Sequence, residues 1–160
     1  MPRPATYLAL GGLAYAAACT PTPSSGPNSG LMSAVDAGSY FNDVCGETAP
    51  TFSAFFGKVT NGAYVRNPST DAYEHTRFDL SFQLSETRTS ETCTMRFRSS
   101  EDPIAVALFV SGSLVASGPM NLDQETGFAT REIAPNVIMT FEPKIDGDTQ
   151  HLARLEVGVR

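Results

Sequence analysis

The chain has 160 residues, enough for one ordinary domain, since compact domains usually contain roughly 100 to 200 residues. Charged residues make up 18% of it and hydrophobic residues 41%, which excludes a long, highly charged disordered protein. The formal net charge is −6 and no cluster of Lys and Arg is present, so nucleic acid is not an expected partner.

The beginning of the chain has the pattern of an export signal. Arg3 precedes an apolar run from Tyr7 to Ala18, which ends in small residues before Cys19. This run is about 12 residues long, whereas a helix that spans a bilayer needs roughly 20. We therefore expect residues 1–18 to be a signal peptide and the protein to be exported.

The leader allows two interpretations of its cleavage. Ala16–Ala18 fits ordinary secretory cleavage, which would release a soluble periplasmic or secreted protein that begins at Cys19. Alternatively, Met1–Cys19 resembles the leaders of bacterial lipoproteins, in which small residues precede a Cys that receives the lipid. Ala16 stands where that family usually has Leu. The resemblance implies a lipid on Cys19 that anchors the protein to a membrane, facing the periplasm or the cell surface.

The number of cysteines favours the lipoprotein interpretation. The chain has three, Cys19, Cys45 and Cys93, and cysteines of exported proteins are usually paired. A disulfide between Cys45 and Cys93 would leave Cys19 as the odd thiol, and lipidation would account for it. Residues 19–33 are rich in Pro, Ser, Gly and Thr, which predicts a flexible tether before a single domain at residues 34–160.

Two aromatic-rich helices are predicted at the start of the domain. Apolar residues recur at helical spacing in two stretches, which end at Gly46 and Gly62. Thr48 is suited to cap the second helix, and Pro50 is tolerated in its first turn. We expect a covered core face, with a ligand cage of Phe rings as the rarer alternative. The apolar residues are Ala37, Tyr40, Phe41, Val44 and Cys45, then Phe52, Phe55, Phe56 and Val59.

The pattern then changes to the period of two that is typical of strands. Residues 78–84 and 93–97 alternate between apolar and polar, and the polar segment Ser85–Glu91 between them suits a hairpin loop. One face of this hairpin is therefore apolar and covered, and the other meets water. Cys93 lies on the covered face and Cys45 on the inner face of the first helix. Their disulfide would join the helix to the sheet.

Residues 103–110 allow two interpretations. Asp102 and Pro103 favour a helix, whereas the β-branched content and the Ser111–Gly112 break also allow a short buried strand. We favour the helix. Strands are predicted at Phe128–Ile133, Asn136–Phe141 and Leu152–Val159, with a turn at Asp146–Gly147. The expected fold is α+β, with two N-terminal helices and a third packed on one face of an antiparallel sheet of about five strands.

Few residues are candidates for catalysis or metal binding. His75 and His151 lie in separate segments without the spacing of metal ligands. Ser111–Ser113 lacks the nucleophile elbow of serine hydrolases, and Asp146–Asp148 lacks the EF-hand pattern. No phosphate-binding glycine loop or dinucleotide fingerprint is present. We therefore expect no catalytic residue, no metal and no cofactor.

The best surface candidate is a group of arginines on the first hairpin. If the outer ends of Arg96 and Arg98 meet Arg77, they would form a small patch that binds an anion or a partner. The expected function is a non-catalytic binding or accessory domain for an unidentified envelope protein or other macromolecule. A small periplasmic hydrolase with a scattered site is one alternative. A carrier of a small apolar ligand, held between the Phe-rich helices and the sheet, is another.

Overall fold

The computed structural model describes residues 30–116 and 118–158. The predicted signal peptide, Cys19 and most of the predicted tether lie outside the described residues. At the end of that tether, Met32 is buried and its backbone N–H donates to the carbonyl of Arg98 at 2.8 Å. The described helices include none that is both long and apolar enough to cross a bilayer.

All strands in the described part of the chain belong to one eight-stranded sheet. The strands are β1 (Tyr64–Arg66), β2 (Tyr73–His75), β3 (Leu80–Glu86), β4 (Ser90–Arg98), β5 (Met120–Leu122), β6 (Ala129–Ala134), β7 (Val137–Glu142) and β8 (Gln150–Gly158). Their order in the sheet is β1-β2-β3-β4-β8-β7-β6-β5, and every neighbouring pair is antiparallel.

The predicted α+β class, the antiparallel sheet and the disulfide are confirmed, but the estimate of about five strands is too low. The additional strands β1, β2 and β5 contain three residues each. So short a segment does not show enough alternation to be recognised from its sequence, because a period of two needs about four residues or more. These strands depend on pairing with longer neighbours.

The first predicted helix is present, and it changes geometry before it ends. Helix α1 (Ala34–Phe41) begins at Ser33, whose hydroxyl accepts the N–H of Asp36 at 3.1 Å. Its C-terminal end continues into a π-helical turn (Asn42–Gly46). The inner residues of both segments are buried, as the helical spacing predicts.

The second helix is shorter than predicted, since only residues Phe55–Val59 form a helix, α2. Phe52 has a φ of 47°, a left-handed conformation that cannot continue a right-handed helix. Thr48 does not act as the predicted cap. Its hydroxyl instead donates back to the carbonyl of Val44 at 2.7 Å.

Helix α3 (Pro103–Gly112) confirms the helical interpretation of its segment. It is apolar all round: Val106 and Val110 are buried, while Leu108 and Phe109 are about half exposed. It packs closely against α1 at Gly38. A Cβ atom on Gly38 would lie 2.7 Å from the carbonyl oxygen of Phe109, so this approach requires glycine.

The disulfide joins the helical layer to the middle of the sheet. Cys45 of the π-helical turn is bonded to Cys93 of β4, and both residues are fully buried. The bond spans 48 residues, and closing a loop of that length contributes about 4 kcal/mol in the chain-entropy model. The helices therefore cover the face of the sheet on which Cys93 lies.

Candidate functional site

His151 is a buried structural residue. Its ring packs against those of Phe97 and Phe141, with centroid distances of 5.4 and 5.7 Å. Its Nδ1 accepts the backbone N–H of Lys144 at 3.4 Å, and Nε2 donates to the carbonyl of Ser99 at 3.3 Å. Burial lowers the pKa of His151, opposed by the hydrogen bond to Ser99. Both ring nitrogens are thus used in holding the loops at this end of the sheet.

His75 ends β2 and is also committed to local structure. Its Nδ1 accepts the backbone N–H groups of Arg77 and Phe78 at 3.1 and 3.2 Å. Desolvation lowers the pKa of His75, and the charge of Arg77 acts in the same direction. A neutral imidazole whose Nδ1 accepts a hydrogen bond must carry its proton on Nε2. In this arrangement His75 has no free lone pair with which to act as a general base.

The Phe-rich segment belongs to the core. Phe52 and Phe55 are buried, and the ring of Phe55 lies 6.1 Å from that of Tyr73 on β2. Phe56 on the outer side of α2 is 53% exposed. The rings of Phe52 and Phe55 occupy the layer between the helices and the sheet, which is the place where a carrier would hold its apolar ligand.

The uncovered face of the sheet presents a row of polar side chains. Strand register places Ser81 of β3 beside Arg96 of β4, and Glu74 of β2 beside Ser81 on its other side. Neighbouring strands are about 4.8 Å apart, so the Cα atoms of Glu74 and Arg96 are separated by about 10 Å. The polar row ends at Arg96, because its neighbour on β8 is the buried apolar residue Leu152.

Two adjoining depressions lie along this row, and together we name them the open-face cleft. One has a volume of about 400 Å³ and extends to Arg98 near the end of β4. The other has a volume of about 510 Å³ and extends to Thr94. Glu74, Ser81 and Arg96 line both depressions. These three residues therefore form the shared floor of the cleft.

The arginines of this face differ in whether they have an acidic partner. Arg98 donates to the carboxylate of Asp79 at 3.0 Å, and Arg154 donates to that of Glu142 at 2.5 Å. Arg96 forms neither a hydrogen bond nor an ion pair with any residue between 30 and 158 that the structure describes. Because Arg96 is exposed, its guanidinium donors are available to an external group.

Glu74 is the second charged residue of the cleft floor without an oppositely charged partner among the described residues. One carboxylate oxygen accepts the side-chain amide of Asn67 at 2.7 Å, and this donor is neutral. The loop between β1 and β2 that carries Asn67 is itself held by a bond from the amide of Gln83 to the carbonyl of Thr70, at 3.0 Å. The cleft floor thus has the negative group of Glu74 on one side of Ser81 and the positive group of Arg96 on the other.

The structure brings together two of the three arginines of the predicted patch. Arg96 and Arg98 lie on the same face of β4 and line the open-face cleft, whereas Arg77 lines neither depression and its guanidinium lies 6.0 Å from the ring centre of Phe78. The third arginine of this face is Arg154, because β8 pairs with β4 and sets Arg154 opposite Thr94. Sequence alternation predicts which face Arg154 occupies, but only the strand order makes it a neighbour of Arg96. Anion binding at this patch stays a prediction.

Known proteins give no further guide to this site. No protein-family model matches the chain, and no curated protein or solved structure matches it. Within residues 30–116 and 118–158, no three or more His, Cys, Asp or Glu side chains are grouped to hold a metal ion. The geometry of the open-face cleft is therefore the basis for assigning a function.

Proposed function

We propose that the protein is an exported, lipid-anchored envelope protein whose domain binds a carboxylate-bearing ligand in the open-face cleft, without catalysis. The observation that carries this proposal is the unpartnered Arg96 on the cleft floor. A guanidinium presents paired N–H donors whose geometry matches the two oxygens of a carboxylate. Arg98 and Arg154 already donate to carboxylates, so Arg96 is the arginine of this face that a ligand would engage.

A carboxylate suits the cleft better than a phosphate does. Glu74 also lines it without a cationic partner among the described residues, and its negative charge repels a dianion more strongly than a monoanion. Ser81 and Thr94, beside Arg96, offer hydroxyl groups that hydrogen-bond either oxyanion. Inorganic phosphate should therefore compete with a carboxylate only weakly.

Anchoring is supported by the leader and by the state of the other cysteines. Because Cys45 is bonded to Cys93, Cys19 is the one cysteine of the chain without a partner inside the domain. A lipid on Cys19, joined to the domain by the Pro- and Ser-rich tether, would hold the cleft close to the membrane surface while letting the domain turn.

Replacement of Arg96 tests the proposal. We expect Arg96→Gln to weaken acetate binding about tenfold or more, since hydrogen bonds to charged groups contribute roughly 1.5–3 kcal/mol. Saturation transfer from the protein to the acetate methyl signal measures this binding in the millimolar range. Arg88→Gln is the matched control, because Arg88 is exposed in the turn between β3 and β4. Equal acetate binding by the Arg96→Gln variant and the unmodified protein would contradict the proposal.

A further inference from the structure

The floor of the open-face cleft contains two opposite charges that the sheet keeps apart. Glu74 and Arg96 lie on β2 and β4, with Ser81 of β3 between them. Neither has an oppositely charged partner among the residues that the structure describes. Most of the other charged side chains nearby are paired, as Arg98 is with Asp79.

From this arrangement we infer that the ligand of the cleft is a short zwitterionic peptide, whose carboxylate binds Arg96 and whose ammonium group binds Glu74. This inference rests on the proposed function, because it assigns the carboxylate to the same arginine. A single anion would leave the charge of Glu74 uncompensated and would be repelled by it. A ligand with charges of both signs removes that penalty and compensates both groups.

The separation of the two groups sets the length of the ligand. Two strand spacings amount to about 10 Å, and an extended chain advances about 3.3–3.6 Å per residue. A tripeptide with free ends therefore matches the distance between the Cα atoms of Glu74 and Arg96. Ser81 and Gln83 of β3 lie on the cleft surface between and beside them, where they offer a hydroxyl and an amide to the backbone of the peptide.

The preference for zwitterions can be measured with four forms of one peptide. Triglycine with free ends, its N-acetyl form, its C-terminal amide and the doubly blocked form are titrated into the full chain in detergent at low ionic strength. We expect the free form to bind at least fivefold more tightly than either singly blocked form, with the doubly blocked form weakest. Backbone-amide shifts of the protein report each dissociation constant.

Two variants assign each charge to its end of the peptide. Glu74→Gln should bind free triglycine no better than the unmodified protein binds the N-acetyl form, and Arg96→Gln should mimic C-terminal amidation. The matched controls Glu86→Gln and Arg88→Gln change exposed charges at the far end of the hairpin and should leave the affinity within twofold.

The outcomes separate this inference from the proposed function. If amidation and Arg96→Gln weaken binding while acetylation and Glu74→Gln do not, the zwitterion inference is wrong and carboxylate binding stands. If amidation and Arg96→Gln also have no effect on binding, the zwitterion inference and the proposed carboxylate binding are both wrong. Equal losses in the control variants would show a general effect of net charge and would overturn the inference as well.

Discussion

Neighbouring side chains decide what each charged or titratable residue of this protein can do. Arg96, Arg98 and Arg154 occupy the same face of the sheet, yet two of them are neutralised by carboxylates and one is not. Arg131 is on the opposite, covered face, where its guanidinium donates to the carbonyls of Ser111 and Gly118 at 3.1 Å each. Arg131 thereby provides hydrogen-bond donors for one backbone carbonyl in the last turn of α3 and for another beyond the end of this helix.

Burial of His151 should make the stability of the fold depend on pH. The pKa of His151 is lowered in the folded protein, whereas in the unfolded chain it has its ordinary value of 6.5. As pH falls below about 6.5, the unfolded chain therefore binds a proton that the folded protein does not bind. We expect the free energy of unfolding, measured with urea, to decrease from pH 7 to pH 5.

Substitution of each histidine identifies the source of this decrease. His75 contributes in the same direction, since its pKa is also lowered, but it is only partly buried. His151→Asn should lower stability at pH 7 and flatten the change between pH 7 and pH 5. His75→Asn should flatten it less. An unchanged slope in His151→Asn would show that His151 does not titrate differently in the two states.

Contact between α1 and α3 depends on the absence of a side chain at Gly38. A Cβ atom there would lie 2.7 and 3.1 Å from the carbonyl oxygen and carbon of Phe109, which are backbone atoms that cannot rotate away. Overpacking costs about 1–3 kcal/mol, and replacing a helical glycine by alanine returns up to about 1 kcal/mol. We expect Gly38→Ala to lower the free energy of unfolding by about 1–2 kcal/mol in a urea titration.

Gly57 in α2 provides the control for Gly38. No atom lies within 4 Å of a Cβ placed on Gly57, and the residue is exposed. Gly57→Ala should therefore leave stability unchanged or raise it by up to about 1 kcal/mol. If both variants had the same effect on the free energy of unfolding, the close approach of α1 to α3 would not be the cause.

Long, strongly patterned elements were predictable from the sequence, and short or irregular ones were not. The alternation along β3 and β4 identifies the covered face correctly, including Cys93, and Pro103 marks the first turn of α3. The second helix is overextended in the prediction, because helical spacing alone does not reveal the left-handed conformation of Phe52. The three-residue strands are specified by their partners rather than by their own residues.

At the scale of the whole molecule, the order of the strands that form the cleft could not be predicted from the sequence. β8 inserts beside β4, and it brings Arg154 and Leu152 next to residues more than 50 positions away in the chain. β2 brings Glu74 to the other side in the same way. Arg96 and Arg98 were predictable as neighbours because they belong to one strand. The opposite charge of Glu74 on the same floor becomes evident only from the assembled sheet.

Anchoring and the disulfide can be tested together by intact mass. We expect protein extracted with detergent from a bacterial host to begin at Cys19, to carry added acyl mass, and to resist thiol alkylation until it is reduced. Reduction should then expose Cys45 and Cys93 to the reagent. An unlipidated chain with one reactive thiol before reduction would contradict the anchor. Three reactive thiols before reduction would contradict both features.

Carboxylate binding at Arg96, on the polar face of the sheet, is tested most directly by a map of backbone-amide shifts during an acetate titration. We expect the largest shifts to cluster on β2, β3 and β4, around Glu74, Ser81 and Arg96, and to saturate together. Largest shifts elsewhere, such as at Arg77 or in the turn that carries Arg88, would contradict it.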